Sequence, residues 1–267
     1  MERDPFEGGS DVGLDHGRSL GDETPGSLRD AAPDILAPID DSAPVSGHMP
    51  PPEHTTSAVD SPEQDWNVAK GLVRPAFRPI GTQGLPIESI DQGTLHAHAT
   101  QSHAQPILDM GPAGLPVVYT IPAGGFDIVV NGDHLLTWGI EPAELQDAAL
   151  ENLAAWAASA PWSSEDSGER HLVSSDTGDG LDAVRILLPD AVDHLARSLG
   201  DGARVIVGIP ERHLLTAASL RPDDQAFADM FAEFVIEQSG GADEPIDRRV
   251  FEIVDGRLVE FAGVGAR

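Results

Sequence analysis

A compositional break near residue 65 constrains this chain more than any other feature. Before it, Phe6 is the only aromatic, and residues 1–63 hold 14 acids against 3 bases. Gly, Pro, Ser and Asp dominate this stretch, and Met49-Pro50-Pro51-Pro52 lies inside it. Such a segment buries too little apolar surface to offset the entropy of ordering its backbone. Residues 1–65 therefore read as a disordered acidic tail. Its one apolar patch, Ile35-Leu36 with Ile39, is explained more simply as part of a linker than as a docking motif. Residues 66–267 are different. They are about two hundred in number, enough for one well-buried core, and they read as a single domain whose first part, 66–114, is an extended, loop-rich arm.

Past that arm the periodicities sharpen. Leu115–Ile121 and Phe126–Val130 are β-branched runs separated by Pro122-Ala123-Gly124-Gly125, the pattern of a hairpin. Glu141–Ser159 is the clearest helix, with Pro142 in its first turn and Leu145, Ala149, Leu153, Trp156 and Ala160 along one stripe. A strand is expected at His171–Ser175, then short helices at Leu181–Leu188 and Asp190–Leu199 broken at Pro189. Ala203–Ile209 and Leu214–Ser219 read as strands. Asp223–Gln238 reads as a helix with Phe227, Met230, Phe231, Phe234 and Val235 on one face. Asp255-Gly256, between Val250–Val254 and Arg257–Phe261, predicts a type I′ hairpin. Hairpins at both ends with helices between predict an α+β fold, an antiparallel or mixed sheet with helices mainly on one face. A doubly wound α/β sheet is the alternative.

Charge narrows the function classes. Lys and Arg total 16 against 45 Asp and Glu, a net −29. Phosphate-backbone binding rests on cationic contacts, and anionic lipid repels the same sign, so neither nucleic acid nor a membrane is an expected partner. There is no cysteine, which removes disulfides, thiolate zinc sites and thiol nucleophiles. The opening MERDPFEGGS is polar and acidic, unlike a secretory leader. A cytoplasmic location is expected.

The first candidate site is the turn from Ser174 to Arg185. Asp176, Asp179 and Asp182 crowd a glycine-rich turn ahead of a helix, with Arg185 three residues beyond Asp182. Read functionally, Asp179 and Asp182 hold a divalent cation while Arg185 orients an anion. Read structurally, Asp179 is an N-cap, Asp182 supports it, and Asp182–Arg185 is a helical ion pair. Asp176-Thr177-Gly178 matches the aspartic-protease tripeptide but lacks apolar flanks and a second copy. Glycines at 178 and 180 break the alternation an EF-hand loop needs.

Other candidates are weaker. Glu211-Arg212-His213 leaves a buried strand at a turn, a place that often carries functional groups. His96 and His98 would share one face of a strand over Thr94–Ala99 and, with His103, could chelate a transition metal; surface histidines are the simpler reading. His171 and His213 stand at strand ends and could converge on the acidic turn. His194 falls off the Val192, Leu195, Leu199 stripe and is expected to be exposed. Asn152 lies on the buried side of its helix, where its amide needs partners. No Walker loop, G-x-G-x-x-G, H-E-x-x-H or G-x-S-x-G occurs.

Asp179-Gly180-Leu181-Asp182-Ala183-Val184-Arg185-Ile186-Leu187 resembles the D-G-[aromatic]-D-A-S-R-I-L block of the YtpQ-like bacterial family, a domain of unknown function. Neighbouring blocks are similar in order: Val73–Arg78, Val117–Ile121, Ala149–Leu153 with its internal asparagine, Val207–Leu215, Pro245-Ile246, and the hairpin from Phe251 to Phe261. The likeness spans about residues 70–261. The chain departs from it with Leu181 for the aromatic and Val184 for the serine. The resemblance implies a cytosolic bacterial protein and carries no agreed activity.

Three functional readings follow. The first is a non-enzymatic protein-binding or regulatory domain whose negative field suits a basic partner. The second is a metal-assisted hydrolase of a phosphate or ester, with Asp179 and Asp182 on the cation, His213 or His171 as base, and Arg185 and Arg212 on the substrate. The third is an acidic inhibitor of a basic nuclease or toxin. The first is favoured. It requires no cofactor; the second requires a divalent cation.

Overall fold

A computed structural model describes residues 61–265. The expected tail, including Ile35, Leu36 and Ile39, lies outside the described residues except for its last five. Those five end in a 3-10 turn at Pro62–Gln64, and the carbonyl of Glu63 accepts a hydrogen bond from the Trp138 indole at 2.7 Å.

The chain from 66 to 114 is not an extended arm. It forms α1 (Trp66–Ala69), β1 (Arg74–Phe77), β2 (Leu85–Pro86), α2 (Gln92–Ala97) and β3 (Ile107–Met110). Those strands join β4 (Pro116–Pro122) and β5 (Asp127–Val129) in a five-stranded sheet. β4 is its axis. β1 pairs along one edge of β4, and β3 and β5 lie end to end along the other, all antiparallel. β2 pairs parallel to β3, so the sheet is mixed. Thr94–Ala99, expected as a strand, falls largely in α2, where Asp91 caps the helix through the Thr94 N–H.

α3 (Gly132–Trp138) and α4 (Pro142–Ala157) follow. α4 matches its expected stripe: Leu145, Ala149 and Leu153 are fully buried. Its first half packs with Tyr119 and Ile121 of the first sheet, whereas Leu153 belongs to a larger core shared by Phe77, Val117 and the second sheet. Asn152 donates to the carbonyls of Lys70 and Val73, both at 2.8 Å, so its amide is spent on backbone.

The second sheet is six-stranded and antiparallel. Its strands are β6 (Ser163–Ser167), β7 (Arg170–Ser175), β8 (Arg204–Glu211), β9 (Leu214–Leu220), β10 (Val250–Val254) and β11 (Arg257–Glu260). Their spatial order is β11-β10-β8-β9-β7-β6. The sheet is built from three hairpins joined by two crossovers, β7 to β8 through Pro189–Leu199 and β9 to β10 through Gln225–Gly241. At the β10–β11 turn Asp255 and Gly256 have φ of 50° and 72°, the paired positive values that a type I′ turn demands.

Side chains alternate across β8. Val205, Val207 and Ile209 meet Val192, Leu195 and Leu199 of α5 (Pro189–Leu199), while Ile206 meets Phe227, Phe231 and Val235 of α6 (Gln225–Gly241). Helices thus cover both faces of this sheet, within the expected α+β class. Gly208 faces α6 so closely that a Cβ would sit 2.5 Å from Val235 Cγ2. Among the described residues no helix is long and apolar enough to cross a membrane.

Candidate functional site

β7 ends at Ser175, and the chain turns through Asp176–Gly180 into a short 3-10 helix at Ala183–Leu187. Asp182 is completely buried at the entry to that helix. Its Oδ1 accepts from Ser175 Oγ at 2.7 Å and from the Thr177 N–H at 3.0 Å; its Oδ2 accepts from Thr177 Oγ1 at 3.0 Å. Both oxygens thus hold the preceding turn closed. Asp179 is exposed and is not an N-cap. Its Oδ2 accepts from the Trp156 indole at 2.9 Å, at the end of α4.

Arg185 is 4% exposed. Nη1 donates to Pro161 O and Ser175 Oγ, both at 3.0 Å; Nη2 donates to Ala157 O at 3.1 Å and Ala160 O at 2.8 Å. The guanidinium therefore closes the C-terminal end of α4, where helix carbonyls lack partners and negative charge accumulates. The Trp162 ring covers it at 3.8 Å. The expected Asp182–Arg185 helical pair is in fact a relay through the Ser175 hydroxyl, which donates to one and accepts from the other. Leu181 and Val184, where the chain departs from the resembled block, are both buried in the larger core.

Arg212 reaches the same turn from β8. Nε donates to Gly180 O at 3.2 Å, Nη2 pairs with Asp127 at 2.6 Å, and Nη1 pairs with Glu244 at 3.2 Å. Gly180 has φ of 73°, and a Cβ there would lie 2.4 Å from Arg212 Nε, so glycine is required twice over. Burial opposes the Arg212 charge, yet Asp127 and Glu244 more than compensate and hold its pKa above the ordinary value. Arg212 fastens β5 of the first sheet to the second.

The histidines disperse. His171 pairs with Asp166 across β6 and β7 at 2.6 Å. His96 and His98 are exposed on and just beyond α2, two positions apart, where side chains do not face one another. His194, expected to be exposed, is half-buried and stacks on Trp162 with ring centroids 4.9 Å apart. Among the described residues no group of three or more His, Asp or Glu side chains gathers as metal ligands would.

His213 stands apart from the acidic turn's hydrogen bonds. It lines a cleft of about 340 Å³ with Glu211, Glu237, Asp243 and Glu244 at the C-terminal end of α6. Its Nδ1 is buried without a hydrogen-bond partner among the described residues. Among the described residues only Glu244 of those four acids has a basic partner, Arg212. The last turn of α6 holds no basic residue to offset the negative end of the helix. From this rim one stripe runs back along α6: Glu237, then Phe234 and Met230, 36% and 50% exposed. The sequence had placed Phe234 and Met230 on the buried face; Phe227, Phe231 and Val235 take that face and leave them outside. Only the acids at 229, 233 and 237, interleaved with these apolar residues, signal the stripe beforehand.

No family model matches the chain, and neither does any curated protein or solved structure.

Proposed function

We propose that this chain is a non-catalytic protein-binding domain that captures a basic partner through the outer stripe of α6 and the cleft at its end. The observation that carries this is the set of carboxylates of Glu211, Glu237 and Asp243 around the cleft, none of which has an ion-pair partner among the described residues. A lysine or arginine side chain of a partner would meet three carboxylates and the negative end of a helix. Met230 and Phe234, exposed next to it, supply the apolar contact that interfaces use for affinity.

Several side chains of the hydrolase reading have other work: Asp182 and Arg212 spend their polar atoms within the fold, and Arg185 spends both terminal nitrogens there. An acidic inhibitor of a basic nuclease would use the same surface and is a special case of this reading. The resemblance to the YtpQ-like family is compatible with it, since that family carries no agreed activity.

Arginine ethyl ester is the simplest probe, a free guanidinium without a second charge of opposite sign. Titrated into the full chain, it should shift the His213 ring resonances saturably, and Glu237→Gln with Asp243→Asn should weaken the effect about tenfold. A linear, non-saturating drift, unchanged in that double variant, would overturn the proposal.

A further inference from the structure

One cleft breaks the acidic character of the molecule. It measures about 630 Å³ and lies between the end of α4, Trp162 and the first turn of α5. Its charged lining is Arg185, Arg197 and His194 against a single acid, Asp190. In a chain of net −29, that is a local reversal of sign. Its volume is that of a small-molecule site, and Trp162, Leu188, Pro189 and the alanines of α4 provide an apolar wall.

The cationic floor is prebuilt. Arg185 is 4% exposed yet borders the cleft, and four hydrogen bonds from Nη1 and Nη2 fix its plane. Its Nε has no acceptor among the described residues. Above it, the N-cap of α5 is Leu188, which offers no side-chain hydrogen bond to the first turn, so the Asp190 N–H is left without a side-chain cap. Arg197 is exposed at the rim, one turn beyond His194.

We propose that this cleft binds a small organic anion, a phosphate monoester or carboxylate with an apolar body, with the anionic group between His194 and Arg197 and the body against Trp162 and Leu188. His194 reports on occupancy. Burial, and then the charges of Arg185 and Arg197, push its pKa below the ordinary histidine value. Arg185 from the 3-10 helix and Arg197, Asp190 and Asp193 on its own helix are the charged groups around it; α4 presents only alanines to the cleft. A bound anion offsets those arginines and raises the His194 titration midpoint. This site is independent of the α6 stripe, so either proposal can fail alone.

The test uses the full chain with three probes, phenyl phosphate, benzoate and inorganic phosphate, followed by the His194 ring resonances. The expected result is a saturable shift with an upward move of the His194 midpoint for at least one organic probe, and weaker binding of inorganic phosphate. The ratio of phenyl phosphate to benzoate affinity then distinguishes the two head groups. Among the described residues the only hydrogen bond of the exposed Arg197 side chain is to Asp193 O, so Arg197→Gln leaves the fold intact and should weaken binding at least tenfold. No saturable shift with any probe, or equal affinity in Arg197→Gln, overturns the proposal.

Discussion

The Ser175 hydroxyl donates to Asp182 Oδ1 at 2.7 Å inside the protein, and the same oxygen accepts from Arg185. This arrangement makes the acidic turn a fastening between β7, the 3-10 helix and the end of α4. Asp182→Asn puts an amide N–H₂ where a carboxylate now accepts three hydrogen bonds, and leaves Arg185 buried without its relay. Breaking a buried charged network from one side costs about 3–5 kcal/mol, and Ser175→Ala should cost about 1–3 kcal/mol. Urea unfolding of the variants measures both. If Asp182→Asn unfolds at the parental midpoint and instead abolishes stabilisation by a divalent cation, the turn is a metal site and this reading of it fails.

Arg204 and Glu252 pair side-on across β8 and β10, with side chains only 8% and 12% exposed. Arg204 also donates to the carbonyls of Gly263 and Val264 and lies over the Phe261 ring. Glu252→Leu alone should therefore destabilise by about 3–5 kcal/mol, because it strands a buried cation. The double variant Arg204→Met, Glu252→Leu should recover most of that loss, since an apolar pair of similar volume avoids desolvating two charges. Equal losses in the single and double variants would show that the pair itself stabilises the fold.

Legibility in the sequence followed how local the cause was. α4, α5 and the Asp255-Gly256 hairpin depend on spacing within one segment, and they lie where periodicity placed them. The β4–β5 hairpin of the first sheet was also legible, but β1, β2 and β3 were hidden because they are short, at Arg74–Phe77, Leu85–Pro86 and Ile107–Met110, and divided by loops, and β1 carries Pro75. The place of β1 is decided by its pairing with β4, from Arg74 opposite Thr120 to Phe77 opposite Val117. α2 was misread because its one buried residue, Leu95, gives no helical period, and a cap at Asp91 is all that marks its start. The candidate site divided in the same way. That Asp179, Asp182 and Arg185 share one turn was visible, but the approach of Arg212 to it, and the partners at Ser175, Trp156, Ala160 and Asp127, are tertiary. The α6 cleft depends on where the β8–β9 turn meets the helix end, which no local pattern encodes.

Acid should loosen α3 before it unfolds the rest. His134 completes a capping box there: Asn131 accepts from the His134 N–H, and His134 Nδ1 accepts from the Asn131 N–H at 3.1 Å. A protonated ring cannot accept that bond. Burial, the largest influence, lowers the His134 pKa in the folded protein. The unfolded chain therefore takes up a proton first as pH falls below about 6.5, and stability falls with it until the folded group also titrates. His134→Gln keeps an acceptor that does not titrate, so its stability should fall less between neutral pH and pH values near 5. Identical pH profiles for parent and variant would remove His134 from the account.

The central claim is that α6 and its cleft form a binding surface for a basic partner, beyond what a net charge of −29 would do anywhere on the molecule. The most direct measurement is the affinity of the full chain for an amphipathic Leu/Lys helical peptide, in two variants of equal charge change. One carries Glu233→Gln and Glu237→Gln on α6; the other carries Glu165→Gln and Asp166→Asn on β6, whose residues are all exposed. The account predicts that the α6 variant binds about tenfold more weakly, with a further loss on Phe234→Ser, while the β6 variant binds like the parent. Equal weakening in both variants, with no effect of Phe234→Ser, would mean diffuse charge attraction and would contradict it.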